Sequence, residues 1–414
     1  MNAEIIAVGS ELLTPFRQDT NSLYLTEKLN QLGVDVDFKS IVGDNHEHLT
    51  RAAILALSRS DIVIFTGGLG PTEDDLTREA VADALGLALR RDPELVAQLE
   101  RRFAARGWKM TANNTKQGDV IAGAMVLPNP AGTAPGQWIS GKYESQDRII
   151  LLLPGPPHEM RTVFDEQCFD QLRAKLPARF IATRVLRIAM MGESSCDARV
   201  SPIYKRYTDV QTTILAGRGE VQLHLQTHSA SLDTAQERVD QLVGEIEDEL
   251  GDFVFSDNGD SLEQIAGYFL QMRGATLAVA ESCTGGLLAE RLTSVSGSSR
   301  YFLGGAVVYS NALKTAFAGV PAELIKTHGA VSREVAAALA EGIRRRCGST
   351  LGIGVTGIAG PTGGTPDKPV GLVFHALAGE QGTEVVEKQF PGNRELVRWL
   401  ASQQALDMVR RKLM

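Results

Sequence analysis

The sequence predicts an α/β protein of three modules, on three observations. Short apolar strands alternate with amphipathic helices through the first ~170 residues, and this alternation returns after residue 258. The segment between them contains strands in which apolar and polar residues alternate. The length of 414 residues agrees with two to four domains, at roughly 100–200 residues per domain.

The first module is expected to be a mostly parallel sheet with helices on both faces. Leu25, Leu29 and Leu32 have helical spacing, and Gly33 ends that helix. The predicted strands are residues 3–8, 34–42, 61–65 and 148–153, and the predicted helices are residues 20–32 and 49–57.

The pattern of the middle segment predicts a small α+β module, and the pattern of the last segment predicts a second α/β domain. Residues 184–190 and 221–226 alternate like half-exposed strands, and a helical stripe runs over residues 232–246. Residues 252–261 are polar and contain glycine, which is typical of a linker. Further strands are predicted at 276–280, 306–309, 351–355 and 372–377, and helices at 262–270, 332–346 and from residue 394 onward. The domain boundaries are set at 1–172, 178–252 and 258–414.

Composition and charge disfavour nucleic acid and membrane as partners. The chain has 42 Lys+Arg against 50 Asp+Glu, a net charge of −8, whereas a general binder of phosphate backbones is basic. No apolar run approaches the ~18–20 residues of a membrane span, and the first residues do not resemble a signal peptide. Four scattered cysteines without a CxxC pair are typical of a reduced, cytoplasmic protein.

Glycine-rich turns follow the predicted strands of the first module. Because the carboxyl ends of parallel strands meet at one edge of a sheet, these turns are expected to form one site, where backbone N–H groups cradle a phosphate. The turns are residues 9–11, 66–72 and 154–157, with a fourth at 129–136. The predicted substrate-binding residues are Gly67, Gly68, Gly70, Thr72, Pro154 and Gly155.

Acidic residues beside this cradle predict a divalent cation. Glu73-Asp74-Asp75 follows the second turn directly, with Asp74 and Asp75 as the predicted ligands, and Glu11, a third predicted ligand, lies in the first turn. Acids next to a phosphate repel it unless a hard cation lies between them, and Mg²⁺ commonly takes one or two carboxylates plus phosphate oxygens. The alternative is that Thr72 caps a helix whose positive N-terminus the acids satisfy.

Three motifs of this module resemble a known family. GGLGPTEDDLT (67–77), PNPAGTAPG (128–136) and PGPPHEM (154–160) are similar to the N-terminal domain of CinA proteins, the competence/damage-inducible family. The resemblance implies a three-layer molybdopterin-binding-like fold and an ADP-ribose pyrophosphatase activity that depends on Mg²⁺, Mn²⁺ or Co²⁺. It also implies a KH-type middle module, with which the order strand, helix, strand, strand, helix agrees.

The middle module lacks the loop with which KH domains clamp nucleic acid. That loop needs GxxG, whereas this chain has Gly217-Arg218-Gly219. The module is therefore interpreted as a spacer or a dimerisation element, and the chain is expected to be a homodimer.

A sharp turn in the third module predicts a nucleophile. Ser282 follows the strand 276–280 and opens a helix, where a hydroxyl can be exposed beside backbone N–H groups. The alternatives are that Ser282 or Thr284 only caps the helix, and that Cys283 is the nucleophile with His328 or His375 as its partner.

A lysine and two arginines complete the predicted site. Lys314 ends the motif YSNALK and can act as a general base if burial lowers its pKa. Arg394 and Arg398 are four residues apart on the last helix, where together they can hold a phosphate.

The third module resembles the CinA C-terminal domain and the stand-alone nicotinamide-nucleotide amidases, through AESCTGG, YSNALK, HGAVS, VTGIAGP and KPVG. The resemblance implies deamidation of nicotinamide mononucleotide (NMN) to nicotinic acid mononucleotide without a cofactor. It implies Ser282 as nucleophile and Lys314 as base, with Tyr309 as a third catalytic candidate. The predicted substrate-binding residues are Glu281, Cys283, Thr284, Gly285, Gly286, Asn311, Thr356, Gly357, Arg394 and Arg398.

The sequence thus predicts a bifunctional hydrolase of pyridine-nucleotide salvage. Two other classes stay open. The N-terminal domain can be a pterin- or nucleotide-binding module without hydrolysis, or the chain can be a non-enzymatic competence or DNA-damage factor.

Overall fold

Two units make up the chain in the computed structural model, which describes residues 1–177 and 179–414. The first unit consists of residues 1–181 with 228–235, and the second consists of residues 182–227 with 236–414. Residue 178, the predicted start of the middle module, lies outside the described residues.

The first unit is built on a six-stranded sheet of order β2-β1-β3-β8-β7-β6, with a separate two-stranded sheet formed by β4 and β5. Its strands are β1 (Asn2–Val8), β2 (Asp35–Val42), β3 (Ile62–Thr66), β4 (Leu89–Arg91), β5 (Asp119–Ile121), β6 (Met125–Leu127), β7 (Gly136–Tyr143) and β8 (Gln146–Leu153). Its helices are α1 (Asn21–Gln31), α2 (His46–Arg59), α3 (Thr77–Leu85), α4 (Pro93–Ala105), α5 (Pro157–Val163) and α6 (Phe169–Lys175).

This sheet is the middle of three layers. Alternate residues of a strand point to opposite faces, so Ile5 packs into a core with α1, α5 and α6 while Ile6 packs into another with α2 and α3. Strands β1, β2, β3 and β8 are parallel, whereas β7 pairs antiparallel with β8 and β6 pairs antiparallel with β7. The ends of β1, β3 and β8 therefore bring Gly9, Gly67 and Gly155 to one edge, as the sequence predicts.

A four-stranded sheet of order β10-β11-β9-β12 follows, in which β10 pairs antiparallel with β11 and β12 pairs antiparallel with β9. Its elements are β9 (Phe180–Ala189), α7 (Glu193–Tyr204), β10 (Val210–Ala216), β11 (Glu220–Ser229), α8 (Leu232–Leu250) and β12 (Val254–Ser256). The prediction of a linker at 252–261 is wrong for the residues of β12, because this strand pairs with β9 and buries Phe255. A strand of three residues is too short to show an alternating pattern in the sequence.

The remaining residues form a five-stranded sheet of order β14-β13-β15-β16-β17, in which β14, β13 and β15 are parallel. Its strands are β13 (Leu277–Glu281), β14 (Phe302–Val307), β15 (Leu351–Gly357), β16 (Leu372–Gly379) and β17 (Gly382–Gln389). Its helices are α9 (Leu262–Met272), α10 (Leu287–Ser294), α11 (Asn311–Ala318), α12 (Ala322–His328), α13 (Arg333–Cys347) and α14 (Arg394–Leu413).

Helices cover both faces of this sheet, with α9, α10 and α14 on one and α11 to α13 on the other. Side chains cap several of these helices, as when Ser310 accepts the N–H of Leu313 at the start of α11. Within the described residues, no helix has both the length and the apolar character that crossing a membrane requires.

Gly342 provides a test of the packing between α13 and α11. A Cβ atom at Gly342 would lie 1.6 Å from the carbonyl oxygen of Ala318, the last residue of α11. We expect Gly342→Ala to destabilise the protein by about 1–3 kcal/mol, because the two helices must separate. Gly244→Ala in α8 meets no atom within 4 Å and is expected to stabilise by about 0.5–1 kcal/mol through helix propensity. Thermal melting of both variants measures the difference, and equal melting temperatures would contradict the close approach.

Candidate active sites

The first candidate site is a cleft of about 990 Å³ at the edge of the six-stranded sheet. All the residues that the sequence predicts for this site line it: Glu11, Gly67, Gly68, Gly70, Thr72, Asp74, Asp75, Pro154 and Gly155. Asp19, Asp44 and Glu159 line it too, so six carboxylates face a loop surface rich in backbone N–H groups.

The acidic turn at 72–75 differs from the predicted helix start. Helix α3 begins only at Thr77, and the acids lie in the turn before it. Asp75 accepts hydrogen bonds from the N–H of Thr72, at 2.8 Å, and from its hydroxyl. Thr72 therefore does not cap the helix. Asp75 closes the turn with its own side chain, and Asp74 lines the cleft beside it, where a hydrogen bond from Thr72 lowers the pKa of Asp74.

A buried arginine lies behind the glycine loop. Arg78 is fully buried, and its Nη2 donates to the carbonyl oxygen of Leu69 at 2.6 Å. Burial lowers the pKa of Arg78 to about 10, so the guanidinium stays protonated at neutral pH. Thr77 holds the loop from the same helix, since its hydroxyl donates to the carbonyl oxygen of Gly67 at 2.8 Å. The loop thus has a positive charge beneath it.

Two further cleft residues were missed by the sequence reasoning. Asn21 donates to the hydroxyl of Thr66 and to the carbonyl oxygen of Gly155, both at 2.8 Å, and so ties the ends of β3 and β8 together. Glu159 accepts from the Nδ2 of Asn129 at 2.7 Å. Asn129 belongs to the motif at 128–136, and Glu159 belongs to the motif at 154–160. The proximity of these two motifs is the signal that could have identified the pair.

The donor set fits a divalent cation whose shell a substrate completes. Within the described residues, no group of three or more His, Cys, Asp or Glu side chains is arranged to hold a metal ion. The cleft nevertheless supplies oxygen donors, with Asp74 and Glu11 among its lining residues. One or two carboxylates are sufficient for Mg²⁺ when phosphate oxygens provide further ligands.

The second candidate site contains a serine and a buried lysine. Ser282 follows β13 directly, and its N–H donates to the carbonyl oxygen of Val355 at 2.9 Å. Nζ of Lys314, from α11, lies 3.1 Å from Oγ of Ser282 and donates to the carbonyl oxygens of Val308, at 3.1 Å, and Tyr309, at 3.4 Å. Lys314 is only 2% exposed, and burial lowers its pKa, which favours the neutral amine.

The neighbouring cysteine has the opposite character. Burial raises the pKa of Cys283 to about 12, so the thiolate that a cysteine nucleophile needs is disfavoured. His375 is fully buried and bonds to the carbonyl oxygen of Ala401, and His328 lies beside Glu334. Neither histidine lines the cleft around Cys283.

The turn that carries Ser282 is held from behind by Glu281. This carboxylate is completely buried and accepts the N–H groups of Gly286, Leu288 and Ala289 at 2.8–3.1 Å. Glu281 was predicted to bind substrate, but it caps the start of α10 and does not line the cleft. Neither Ser282 nor Thr284 is the cap, because the residue before α10 is Gly286.

The two arginines of α14 have different partners. Arg398 donates twice to the carbonyl oxygen of Thr284, at 3.1 and 2.8 Å, so it supports the turn. Arg394 donates to the hydroxyl of Tyr309 at 2.7 Å and to the carbonyl oxygen of Gly360 at 2.9 Å. Of the two, Arg394 lines the cleft.

A cleft of about 210 Å³ opens over Ser282 and Lys314. The predicted residues that line it are Ser282, Cys283, Tyr309, Asn311, Lys314, Thr356, Gly357 and Arg394. The predicted residues that do not line it are Glu281, Thr284, Gly285, Gly286 and Arg398. Ala330, Val331 and Ala359 line it without having been predicted, although they belong to the motifs HGAVS and VTGIAGP.

Comparison with protein families identifies three domains in the chain. Residues 4–174 match "Probable molybdopterin binding domain", residues 183–256 match "Damage-inducible protein CinA KH domain", and residues 259–413 match "CinA C-terminal domain".

Similar proteins extend over the whole chain. A "CinA-like protein" of Koribacter versatilis is 64% identical over 413 residues and another of Solibacter usitatus is 48% identical, and they cover 100% of this chain and 100% and 98% of their own lengths. The crystal structure of a competence/damage inducible protein from Agrobacterium tumefaciens is 38% identical, with a TM-score of 0.36, and covers 37% of this chain and 93% of its own. The chain belongs to the CinA family, with a molybdopterin-binding-like domain, a KH domain and a CinA C-terminal domain.

Proposed function

We propose that the chain is a bifunctional hydrolase that deamidates NMN in its C-terminal domain and hydrolyses ADP-ribose in its N-terminal domain. The observation that carries the amidase is the 3.1 Å approach of the buried amine of Lys314 to the hydroxyl of Ser282. The proposal for the N-terminal domain rests on the cleft that combines glycine loops with carboxylates.

The amidase step begins with proton transfer from Ser282 to Lys314. Neutral Lys314 has a free lone pair, because its N–H groups are directed to the carbonyl oxygens of Val308 and Tyr309. Oγ of Ser282 then attacks the carboxamide carbon of NMN, and the proton on the lysine passes to the departing ammonia. Water hydrolyses the resulting ester, which releases nicotinic acid mononucleotide and restores the serine.

The turn supplies the donors for the oxyanion. The N–H of Gly285 donates to the carbonyl oxygen of Ser282 at 3.2 Å, and that of Gly286 is held by Glu281. This leaves the N–H groups of Cys283 and Thr284 to stabilise the negative oxygen. Arg394 is the residue that we assign to the phosphate of NMN, since it lines the cleft and carries a planar pair of donors.

In the N-terminal domain, the loop at 67–70 would receive the diphosphate of ADP-ribose, with Arg78 beneath it. Asp74 and Glu11 would hold a divalent cation, which supplies charge neutralisation at the phosphates when bound. Asp75 keeps the turn closed, and Glu159, which accepts a hydrogen bond from Asn129, would accept a proton from the attacking water. The expected products are AMP and ribose 5-phosphate.

A second candidate function for the N-terminal domain is pterin binding without hydrolysis, which the match to a molybdopterin-binding family favours. The two candidate functions differ in whether the N-terminal domain hydrolyses ADP-ribose. Incubation of the full chain with ADP-ribose and Mg²⁺, Mn²⁺ or Co²⁺, with and without chelator, distinguishes them. Tight binding of a pterin without release of AMP under any of these conditions would favour the second candidate.

The first prediction concerns the nucleophile. We expect Ser282→Ala to lower NMN deamidation by at least about 10³-fold, because no other group can form the acyl-enzyme. Cys283→Ala is the matched control and is expected to keep most of the activity. Hydrolysis of ADP-ribose should be unchanged in both variants, because Ser282 and the first cleft belong to different units. Release of ammonia at the wild-type rate by Ser282→Ala, with its loss in Cys283→Ala, would show that the nucleophile is the cysteine.

The second prediction concerns the pH dependence of the amidase. Lys314 is active only when it is neutral, so kcat/KM for NMN should rise with pH through a lysine pKa below the ordinary ~10.4 and level off above it. Lys314→Arg keeps the positive charge but cannot accept a proton at these pH values, and we expect almost no activity. An active Lys314→Arg enzyme with the same pH profile would contradict the role of general base.

The third prediction concerns the acidic turn. Asp74→Asn should sharply lower ADP-ribose hydrolysis and raise the metal concentration at half-maximal rate, because it removes a ligand. Asp75→Asn should have a smaller effect, since it acts through the turn. Glu73→Gln is the matched control, because Glu73 does not line the cleft. Full-rate hydrolysis in excess chelator would show that the acids serve only the local structure.

A further inference from the structure

The loop between β10 and β11 of the KH domain packs against α14. The indole Nε1 of Trp399 donates to the carbonyl oxygen of Arg218 at 2.7 Å, and the guanidinium of Arg218 pairs with Glu395. This loop consists of Gly217, Arg218 and Gly219, between Ala216 at the end of β10 and Glu220 at the start of β11. In this chain the loop contacts protein.

Gly219 makes this contact close. It has a φ of 80°, and a Cβ atom there would lie 2.7 Å from Cδ2 of Leu400 and 3.3 Å from Cγ of Gln403. Its carbonyl oxygen accepts the N–H of Met190, which fixes the loop to the KH sheet. The hydrogen bond and this packing contribute more than the ion pair, because Arg218 and Glu395 are 59% and 68% exposed.

The same two turns of α14 carry residues of the amidase site. Arg394 bonds to the hydroxyl of Tyr309, and Arg398 bonds twice to the carbonyl oxygen of Thr284, beside Ser282. Trp399 also contacts α10, the helix that follows the nucleophile turn, since the guanidinium of Arg291 lies 4.3 Å from the centre of its ring. The KH loop is thus linked to the site through the first two turns of α14.

We propose that the loop at 217–219 is a positioning element of the amidase site, which fixes the start of α14 and through it Arg394 and Arg398. The proposal rests on the proposed function, since it assigns to the KH domain a role in binding the same substrate. Trp399, Arg218 and Gly219 are positioning residues, and none of them lines the cleft.

The test uses Trp399→Phe in the full chain. This change removes the indole N–H and keeps an aromatic ring on α14. We expect the KM for NMN to rise by about three- to tenfold, because Arg394 is held less well, while kcat stays within about twofold. Gly219→Ala is a second variant that displaces Leu400 and should have the same effect.

Arg238→Ala is the matched control. Arg238 forms an ion pair with Asp209 in the same KH domain without touching α14, and its loss should leave KM unchanged. A purely structural role of Trp399 would lower the fraction of folded enzyme, and therefore the apparent kcat, with KM unchanged. That outcome, or a wild-type KM in both Trp399→Phe and Gly219→Ala, would overturn the proposal.

A second readout does not depend on activity. Amide hydrogen exchange of residues 394–400 and 282–289 should be faster in Trp399→Phe than in the wild type or in Arg238→Ala. If the wild-type enzyme does not deamidate NMN, the proposed function fails, while this measurement still tests the link. Unchanged exchange in both segments would overturn the link.

Discussion

The burial of Lys314 is the constraint on which the C-terminal site depends. A lysine that is 2% exposed loses the hydration of its ammonium group, and this loss lowers the pKa of Lys314. The carbonyl oxygens of Val308 and Tyr309 accept its N–H groups and orient the lone pair. The fold obtains this arrangement by placing the lysine in the first turns of α11, directly after the edge strand β14, so that its side chain reaches the end of β13. The lowered pKa of Lys314 is thus a consequence of its position next to the ends of β14 and β13.

Both sites place a fixed charge behind a backbone turn and leave the turn to face the ligand. Glu281 lies under the start of α10, where a carboxylate is stabilised by the N–H groups of the first turn. Arg78 lies under the glycine loop of the first unit and bonds to the carbonyl oxygen of Leu69. In each case the charged side chain orients peptide groups without contacting the cleft itself. A substitution at Glu281 or Arg78 would therefore disturb a loop, and its effect on activity would be indirect.

The sequence was sufficient to predict the features that depend on local patterns, which are the strands and the turns that follow them. Apolar runs located the main strands. In each α/β domain, the glycines that follow the strands located the sheet edge at which a cleft opens. The partners of single side chains could not be predicted, because a motif does not state in which direction a side chain points. Glu281 was assigned to substrate but caps a helix, and Asp75 was assigned to the divalent cation but closes a turn. Arg394 and Arg398 have the spacing of one helix face, yet the first reaches Tyr309 and the second reaches Thr284.

The electrostatics of the first cleft decide how a diphosphate can enter it. Six carboxylates line the cleft, and Arg17 is the cation among its lining residues in the part of the chain that the structure describes. Several of these acids already hold the protein together, as Asp44 does by accepting the N–H of Ser10 at 2.7 Å and Asp75 by closing its turn. Hydrogen bonds of this kind do not remove the repulsion between carboxylates and an anionic ligand at short range. Arg78 offsets only part of this charge from behind the loop. Binding of a diphosphate, as in the function that we propose, would therefore require added positive charge in the cleft, and a divalent cation held by Asp74 and Glu11 would supply it. The cation and the anion would then each favour the binding of the other, because each offsets the charge that opposes its partner.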